Sequence, residues 1–463
     1  MQSPLTHLEL HEIAELIRTR QVTSVEVTEA QLERVEALQP TLKAYATIMK
    51  ESALKAAAAA DDEISRGRYR GPLHGVPVAL KDLAYTKDAP TEGGTIIHRG
   101  FRPDFDSTVA ARLRAAGAVI LGKLRMAEGA FTSHHPDLDT PVNPWDSATW
   151  AGSSSSGSGV AAAACLAYAT LGSDTGGSIR LPSAQNGVTG LKPTWGRVSR
   201  HGVFPLADSL DHIGPMCRSA IDTAIVLSVI AGRDENDPTS ASTPVPEYEK
   251  NLRLGRKPLL GVDRKLYGAF DQPTRDMLDA TVDIVRKLGW TVVEVPTPGF
   301  GTAADDWQAL CAVETAHAHL ETYPARKNEY GPELAALIEQ GRAISAVDHH
   351  DRVNRRLEFT GDMVRLFEDI DLLLLPGVGA ASHTLEDLEG LGDDLEILQR
   401  VLLPTAPLDN CGFPSITLPA GATDRGTPLG IQFAARPFDE QLLFAAGAEF
   451  QASTDFHRLH PQV

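Results

Sequence analysis

Residues 151–159, Ala151-Gly152-Ser153-Ser154-Ser155-Ser156-Gly157-Ser158-Gly159, and residues 172–180, Gly172-Ser173-Asp174-Thr175-Gly176-Gly177-Ser178-Ile179-Arg180, decide the reading of this chain. A run of glycine and serine is ordinarily a flexible linker. This one passes straight into the apolar segment Val160 to Ala167, which reads as a short core helix, and then into the strand-like stretch Tyr168 to Gly172. Two serine-bearing loops thus bracket one helix and one strand, which can bring both loops to one sheet edge. Gly176 and Gly177 remove side chains just before Ser178, so backbone N–H groups there can converge on a substrate oxygen. A helix beginning at Ser178 would add its N-terminal dipole at the same place.

Upstream, Gly75 precedes Val76, Val78 and Leu80, a buried strand ending on the charged Lys81. Thr108 to Gly122 pairs an amphipathic helix carrying Val109 and Leu113 with a strand, Ala118 to Leu121, through Gly117. Downstream, Leu259–Val262 and Trp290–Val295 read as strands joined by a helix over Pro273–Leu288, and Leu372–Leu375 is apolar enough for a central strand. This alternation predicts an α/β fold with a largely parallel sheet covered on both faces. Between Leu8 and Ile64 helical spacing predicts three helices, with Pro40 separating the second from the third. The chain accordingly divides into N-terminal helices (1–65), a core holding the serine loops (66–220), and a mostly helical stretch (302–400) assigned to a substrate-pocket wall or lid.

A chain of 463 residues that is 42% apolar can bury a large core. Its net charge of −18 argues against nucleic acid or an anionic membrane as partner. Cys165, Cys217, Cys311 and Cys411 lie far apart with no C-x-x-C spacing, which fits free thiols in a reducing cytoplasm better than a zinc site or disulfides. Met1 to Glu9 lacks the basic start and apolar run of a signal peptide, and no window supplies the roughly 18 apolar residues of a membrane span.

A serine alone is a poor nucleophile and needs a base. Lys81 lies in Gly75-Val76-Pro77-Val78-Ala79-Leu80-Lys81-Asp82, and this segment with the two serine loops resembles the amidase signature family of Ser-Ser-Lys hydrolases. The similarity extends through Gly122-Lys123 with Met126 and Glu128, Asn143-Pro144-Trp145-Asp146, Gly190-Leu191-Lys192-Pro193-Thr194, Asp211-His212-Ile213-Gly214-Pro215, and Gly412-Phe413-Pro414 leading to Gly430-Ile431-Gln432. It implies a single α/β/α domain around a mixed sheet of about a dozen strands, with no metal and no organic cofactor.

Carried over by position, the resemblance makes Ser178 the nucleophile, Ser154 a relay serine in an unusual cis peptide, and Lys81 the final base. The interval of 24 residues between Ser154 and Ser178 is the family's own and selects Ser154 from the run. The backbone of Thr175, Gly176, Gly177 and Ser178 is then the oxyanion hole, and Ser155, Asp174 and Arg180 form a supporting network. Glu128, Phe131 and His134 fall where the family faces its substrate. Ser153 and Ser156 stand where glycines are common, and Leu83 where asparagine often follows Lys-Asp. A lysine base near neutrality requires its pKa, ordinarily about 10.4, to be lowered by burial and nearby positive potential. The helix expected to start near Ser158 is one source of that potential.

Taken alone, Lys81 would be a solvated lysine at a strand end, and Arg180 a structural partner of Asp174 rather than a substrate ligand. Gly117 to Leu124 imitates a phosphate-binding loop but lacks its final Ser/Thr and reads as a strand. Glu314 and His317 have metal-ligand spacing without a second copy, while His134-His135 and His349-His350 read as exposed positions. The resulting expectation is a stand-alone amidase for a small aryl or acyl carboxamide, with homodimerisation left open. The alternative is the A subunit of a glutamine-dependent aminoacyl-tRNA amidotransferase, which shares the scaffold; His212 after Asp211, where that protein often carries glutamine, disfavours it.

Overall fold

Leu372 to Leu375 alternates between two cores: Leu372 and Leu374 pack into one cluster, Leu373 and Leu375 into another. Val78 and Leu80 likewise face one cluster and Ala79 a second. Strands buried on both faces need helices above and below, and the computed structural model, which describes residues 5–381, 383–388 and 400–463, has that layered α/β form. Its strands are β1 (Tyr45–Ile48), β2 (Pro77–Lys81), β3 (Val119–Leu124), β4 (Ala169–Asp174), β5 (Thr189–Lys192), β6 (His212–Cys217), β7 (Leu259–Val262), β8 (Thr291–Glu294), β9 (Leu372–Pro376), β10 (Ser415–Ala422) and β11 (Pro428–Ala434). They form one sheet in the order β1-β3-β2-β4-β6-β5-β10-β11-β9-β7-β8.

The sheet is mixed. Parallel pairs occur only in β3-β2-β4 and β9-β7-β8; the centre, from β4 through β6, β5, β10 and β11 to β9, is antiparallel throughout. The expectation of a largely parallel sheet therefore fails in the middle, where no crossover helix separates β5 from β6 or β10 from β11.

Three local expectations also change. The second helix, Ser24–Leu42, contains Pro40 instead of ending before it, because only two residues follow before Lys43 turns left-handed at φ +53°. A strand, β1, then precedes the helix Lys50–Ser65, so residues 1–65 are not helical throughout. The helix of the glycine-serine run starts at Ser156, four residues before the apolar stretch begins, and the one after Ser178 starts at Arg180. The expected wall at 302–400 contains the helices Phe300–Ala318, Pro332–Ala343 and Ala346–Asp369, with residues 382 and 389–399 lying outside the described residues.

Gly341 fixes the first two of these helices against each other, since a Cβ there would lie 1.9 Å from the carbonyl oxygen of Ala312. Among the described residues, no helix is long and apolar enough to cross a membrane. All four cysteines are unpaired.

Candidate active site

Parallel neighbours end at the same sheet edge, so β2 delivers Lys81 beside the C-terminal end of β4, which carries Ser173 and Asp174. The helix Ser156–Ala163 packs over this edge with Ser154 and Ser155 just ahead of its first turn. The amine of Lys81, fully buried, meets three hydroxyls: Ser154 Oγ at 2.7 Å, Ser173 Oγ at 2.8 Å and Ser155 Oγ at 2.9 Å. The Ser155 hydroxyl donates to the Ser173 carbonyl at 3.1 Å, so toward Lys81 it acts as acceptor. An uncharged amine has two protons and one lone pair; with Ser155 and Ser173 accepting, the lone pair is free to receive the Ser154 proton. Burial lowers the Lys81 pKa to about 7, against the opposing pull of Asp174 and Asp211.

The peptide joining Ser153 to Ser154 is cis. The backbone N–H of Ser155 donates to the carbonyl of Ser178 at 3.2 Å, which joins the two serine loops directly. Ser178 borders the main cavity and its hydroxyl makes no hydrogen bond to another described residue.

The loop before Ser178 is held from outside. Trp307 Nε1 donates to the Thr175 carbonyl at 2.6 Å, and the Thr405 hydroxyl donates to the Gly176 carbonyl at 2.7 Å. Only glycine fits at 176, where a Cβ would come within 2.2 Å of the Trp307 ring. Of the four backbone groups expected to form an oxyanion hole, that of Gly177 is already committed to Asp174 Oδ1 at 2.7 Å. The N–H groups of Thr175, Gly176 and Ser178 have no partner among the described residues. The oxyanion reading therefore narrows from four groups to three.

Asp174 and Arg180 are both fully buried and paired through two hydrogen bonds, Nη2 to Oδ1 at 2.8 Å and Nε to Oδ2 at 3.0 Å. Arg180 also contacts Asp409 and donates to the carbonyl of Thr405, so its fork faces protein on every side. Burial alone would raise the Asp174 carboxyl, but Arg180 outweighs it and holds the group well below the usual range. Asp409 is pushed well above that range by burial, and the two carboxylates share one guanidinium. Lys192, lowered to about 8 by burial, donates to the Phe413 carbonyl at 2.6 Å and lies 3.2 Å from His212 Nε2 beneath this pair. Asp211, raised to about 6 by burial, accepts the Thr175 hydroxyl at 2.6 Å.

The main cavity is a cleft open to solvent, spanning about 1060 Å³ with the solvent at its mouth included, and is mostly apolar, with Phe131, Trp150, Leu181, Leu206, Trp307 and Leu337 among its lining. Phe131 thus sits where substrate was expected. Glu128 and His134 do not line the cavity. Both Glu128 oxygens accept the N–H of Gly331, at 3.1 and 3.0 Å, and His134 Nε2 lies 2.9 Å from Ser156 Oγ. His135, expected to be exposed, is buried. Glu314 is used by Ser209, whose N–H and hydroxyl it accepts, while His317 is exposed.

Glu9, His11 and Asp222 bring ligand-type atoms within 4.8 Å, yet Asp222 already accepts from the backbone of Leu10 and His11 and pairs with the His11 ring at 2.8 Å. That arrangement caps the helix Leu10–Arg18. Ser173, Trp307, Thr405 and Asp409 were missed by sequence reasoning. Only Ser173, inside the loop 172–180, carried a visible signal.

A model of the Amidase family matches residues 26–444. AmiD of Mycobacterium tuberculosis, which bears the provisional name of an amidase, is 55% identical over 100% of this chain and 97% of its own length. The A subunit of the glutamyl-tRNA(Gln) amidotransferase of Chloroflexus aggregans is 35% identical, covering 96% of each chain. Among solved structures, 6-aminohexanoate cyclic dimer hydrolase complexed with substrate superposes with a TM-score of 0.90 at 26% identity, covering 99% of each chain. The peptide amidase of Stenotrophomonas maltophilia gives 0.83 at 29% identity, over 96% of this chain and 97% of its own.

Proposed function

The chain belongs to the Amidase family, and on that premise we propose that it hydrolyses a small carboxamide with Ser178 as nucleophile, Ser154 as proton relay and uncharged Lys81 as final base. The Lys81 lone pair takes the Ser154 proton while Ser154 takes that of Ser178, and the Ser178 oxygen bonds to the carbonyl carbon. The carbonyl electron pair moves onto oxygen, where the N–H groups of Thr175, Gly176 and Ser178 stabilise it. Collapse of this adduct breaks the C–N bond. The proton on Lys81 returns through Ser154 to the leaving nitrogen, which departs as amine or ammonia. Water then attacks the acyl-enzyme with its proton travelling the same relay, releasing the carboxylic acid and free Ser178.

The observation carrying this reading is the cradle of three serine hydroxyls around the buried Lys81 amine. The open contact between Ser154 and Ser178 is compatible with it, because catalytic hydrogen bonds are commonly long in an empty site and tighten with substrate. The apolar cavity beside Ser178 suits an aryl or branched aliphatic acyl group. The amidotransferase reading has the weaker support, its named relative standing at 35% identity against 55% for AmiD.

The test is turnover of aliphatic and aryl primary amides by the purified chain alone. Ser178→Ala is expected to lose at least about 10⁴-fold in rate. Persistence of activity in that variant would remove Ser178 from the chemistry.

A further inference from the structure

We infer that the cavity selects its substrate by charge, accepting uncharged or cationic apolar amides and rejecting amides that carry a carboxylate, with Glu333 as the selecting residue. This deepens the amidase reading and rests on it.

Among the described residues lining the cavity, Glu333 is the single ionisable side chain, and none of them is lysine, arginine or histidine. The residues outside the described set add no cation, since 1–4, 382 and 389–399 contain no basic side chain. Glu333 belongs to the helix Pro332–Ala343, where Glu333, Ala336, Leu337 and Gln340 share one face at helical spacing, and that face borders the cavity. Leu337 is buried, whereas Glu333, Ala336 and Gln340 are exposed, so the face passes from apolar inside to acidic at the opening. A substrate entering there passes the carboxylate.

The helix is fixed in place at both ends. Glu128 accepts the Gly331 N–H ahead of its first turn, and Gly341 near its last turn sits against the backbone of Ala312.

Among the described residues, the buried cations nearest the cavity are already paired with protein carboxylates. The Arg180 guanidinium is consumed by Asp174, Asp409, Thr405 and Gln432. Arg200 lines a smaller neighbouring hollow with Asp208 and Asp211 and bonds to Asp208 at 3.3 Å and to Thr239 at 2.9 Å. Lys81 has to be uncharged to act. A carboxylate drawn into this cavity would shed water with no counter-charge in exchange, beside a fixed negative charge. Free glutamine, whose side-chain amide carries an α-carboxylate at the other end, falls in the rejected class.

The experiment compares kcat/KM for three benzamides of similar size bearing a para-methyl, para-aminomethyl or para-carboxylate group, with wild type, Glu333→Gln and Glu333→Lys. Wild type is expected to favour the cationic over the anionic amide by at least about tenfold at low salt, with the ratio shrinking at about 0.5 M salt. Glu333→Gln lowers that ratio about threefold to fivefold and Glu333→Lys lowers it further, the change lying in KM. A wild-type ratio near one, or a ratio untouched by Glu333→Lys, overturns the proposal. Calorimetric binding of the same compounds to Ser178→Ala ranks them by charge independently of turnover. An enzyme that binds in this order but cleaves none of the three would count against the amidase reading and not against charge selection.

Discussion

The indole nitrogen of Trp307 donates to the carbonyl oxygen of Thr175 at 2.6 Å and so ties the cavity wall to the loop that carries Ser178. In a planar trans peptide the N–H of the next residue points opposite to the carbonyl, so anchoring Thr175 orients the N–H of Gly176. Thr405 anchors the Gly176 carbonyl in the same manner, and the Gly177 N–H opposite it goes to Asp174. Trp307→Phe keeps a ring against Gly176 and removes the donor, leaving a buried carbonyl unpaired. We expect kcat to fall about tenfold to a hundredfold, with KM for an apolar amide changing less than about threefold. Steady-state kinetics decide; an unchanged kcat would mean the loop keeps its shape without the indole.

The buried amine of Lys81 predicts a pH profile. Its pKa, lowered to about 7 by burial, makes kcat/KM rise as pH passes through about 7 and level off above, since only the uncharged form accepts the Ser154 proton. The same shift enters stability with a definite sign. Between about 7 and 10.5 the unfolded chain binds the lysine proton and the folded chain does not, so this group makes stability rise with pH across that window. Lys81→Met is expected to lower the rate by about 10³-fold or more and to remove that slope in urea unfolding. A flat activity profile between pH 6 and 8 in the wild type would count against Lys81 as the base.

Two carboxylates flank Arg180, and they predict unequal responses to the same replacement. Asp174 accepts from Gly177, Ile179 and Arg180, which favours its charged form, while Asp409 Oδ1 has no hydrogen-bond partner and burial opposes the ionisation of its group. Asp174→Asn should cost about 3 kcal/mol at pH 7, and Asp409→Asn, an amide in place of an acid whose ionisation burial opposes, less than about 1 kcal/mol. The Asp174 contribution is present above its unfolded value of 3.8 and is lost as pH falls below it, because its folded pKa is depressed. Chemical denaturation of both variants at neutral pH and near pH 3 separates them; equal losses would mean that the charge is shared.

The meeting of Lys81 with the two serine loops was legible because all three lie in short segments with glycine contexts that a linker does not need. The strand β7 was read to the residue at Leu259–Val262, since a flanked apolar run of that length has few alternatives. The antiparallel centre was not legible. The strand β6, His212–Cys217, contains Gly214 and Pro215, and β5 is Thr-Gly-Leu-Lys, so neither shows an apolar run or alternation. Both are fully buried because long-range neighbours cover them, which local pattern does not encode. Trp307 and Thr405 were hidden for the same reason: each reaches the loop before Ser178 from more than 100 residues away in sequence.

Glu128 gives the last prediction, in which burial and a helix dipole compete. Both oxygens accept the Gly331 N–H at the start of the helix Pro332–Ala343, a position that favours an anion by up to about 1 kcal/mol. Burial opposes ionisation more strongly and, with Glu333 adding to it, raises the pKa to about 7 from 4.5. Between those values the folded chain holds a proton that the unfolded chain has lost. The group therefore supports the fold fully below 4.5, and that support is lost as pH rises through 7. Glutamine is uncharged at every pH and still offers an oxygen to Gly331. Glu128→Gln should match or fall slightly below wild-type stability at pH 5 and exceed it at pH 8 by about 1–3 kcal/mol, visible as melting curves whose order reverses between the two conditions. Equal destabilisation at both pH values would show instead that the helix end binds the carboxylate as an anion and that burial is the lesser effect.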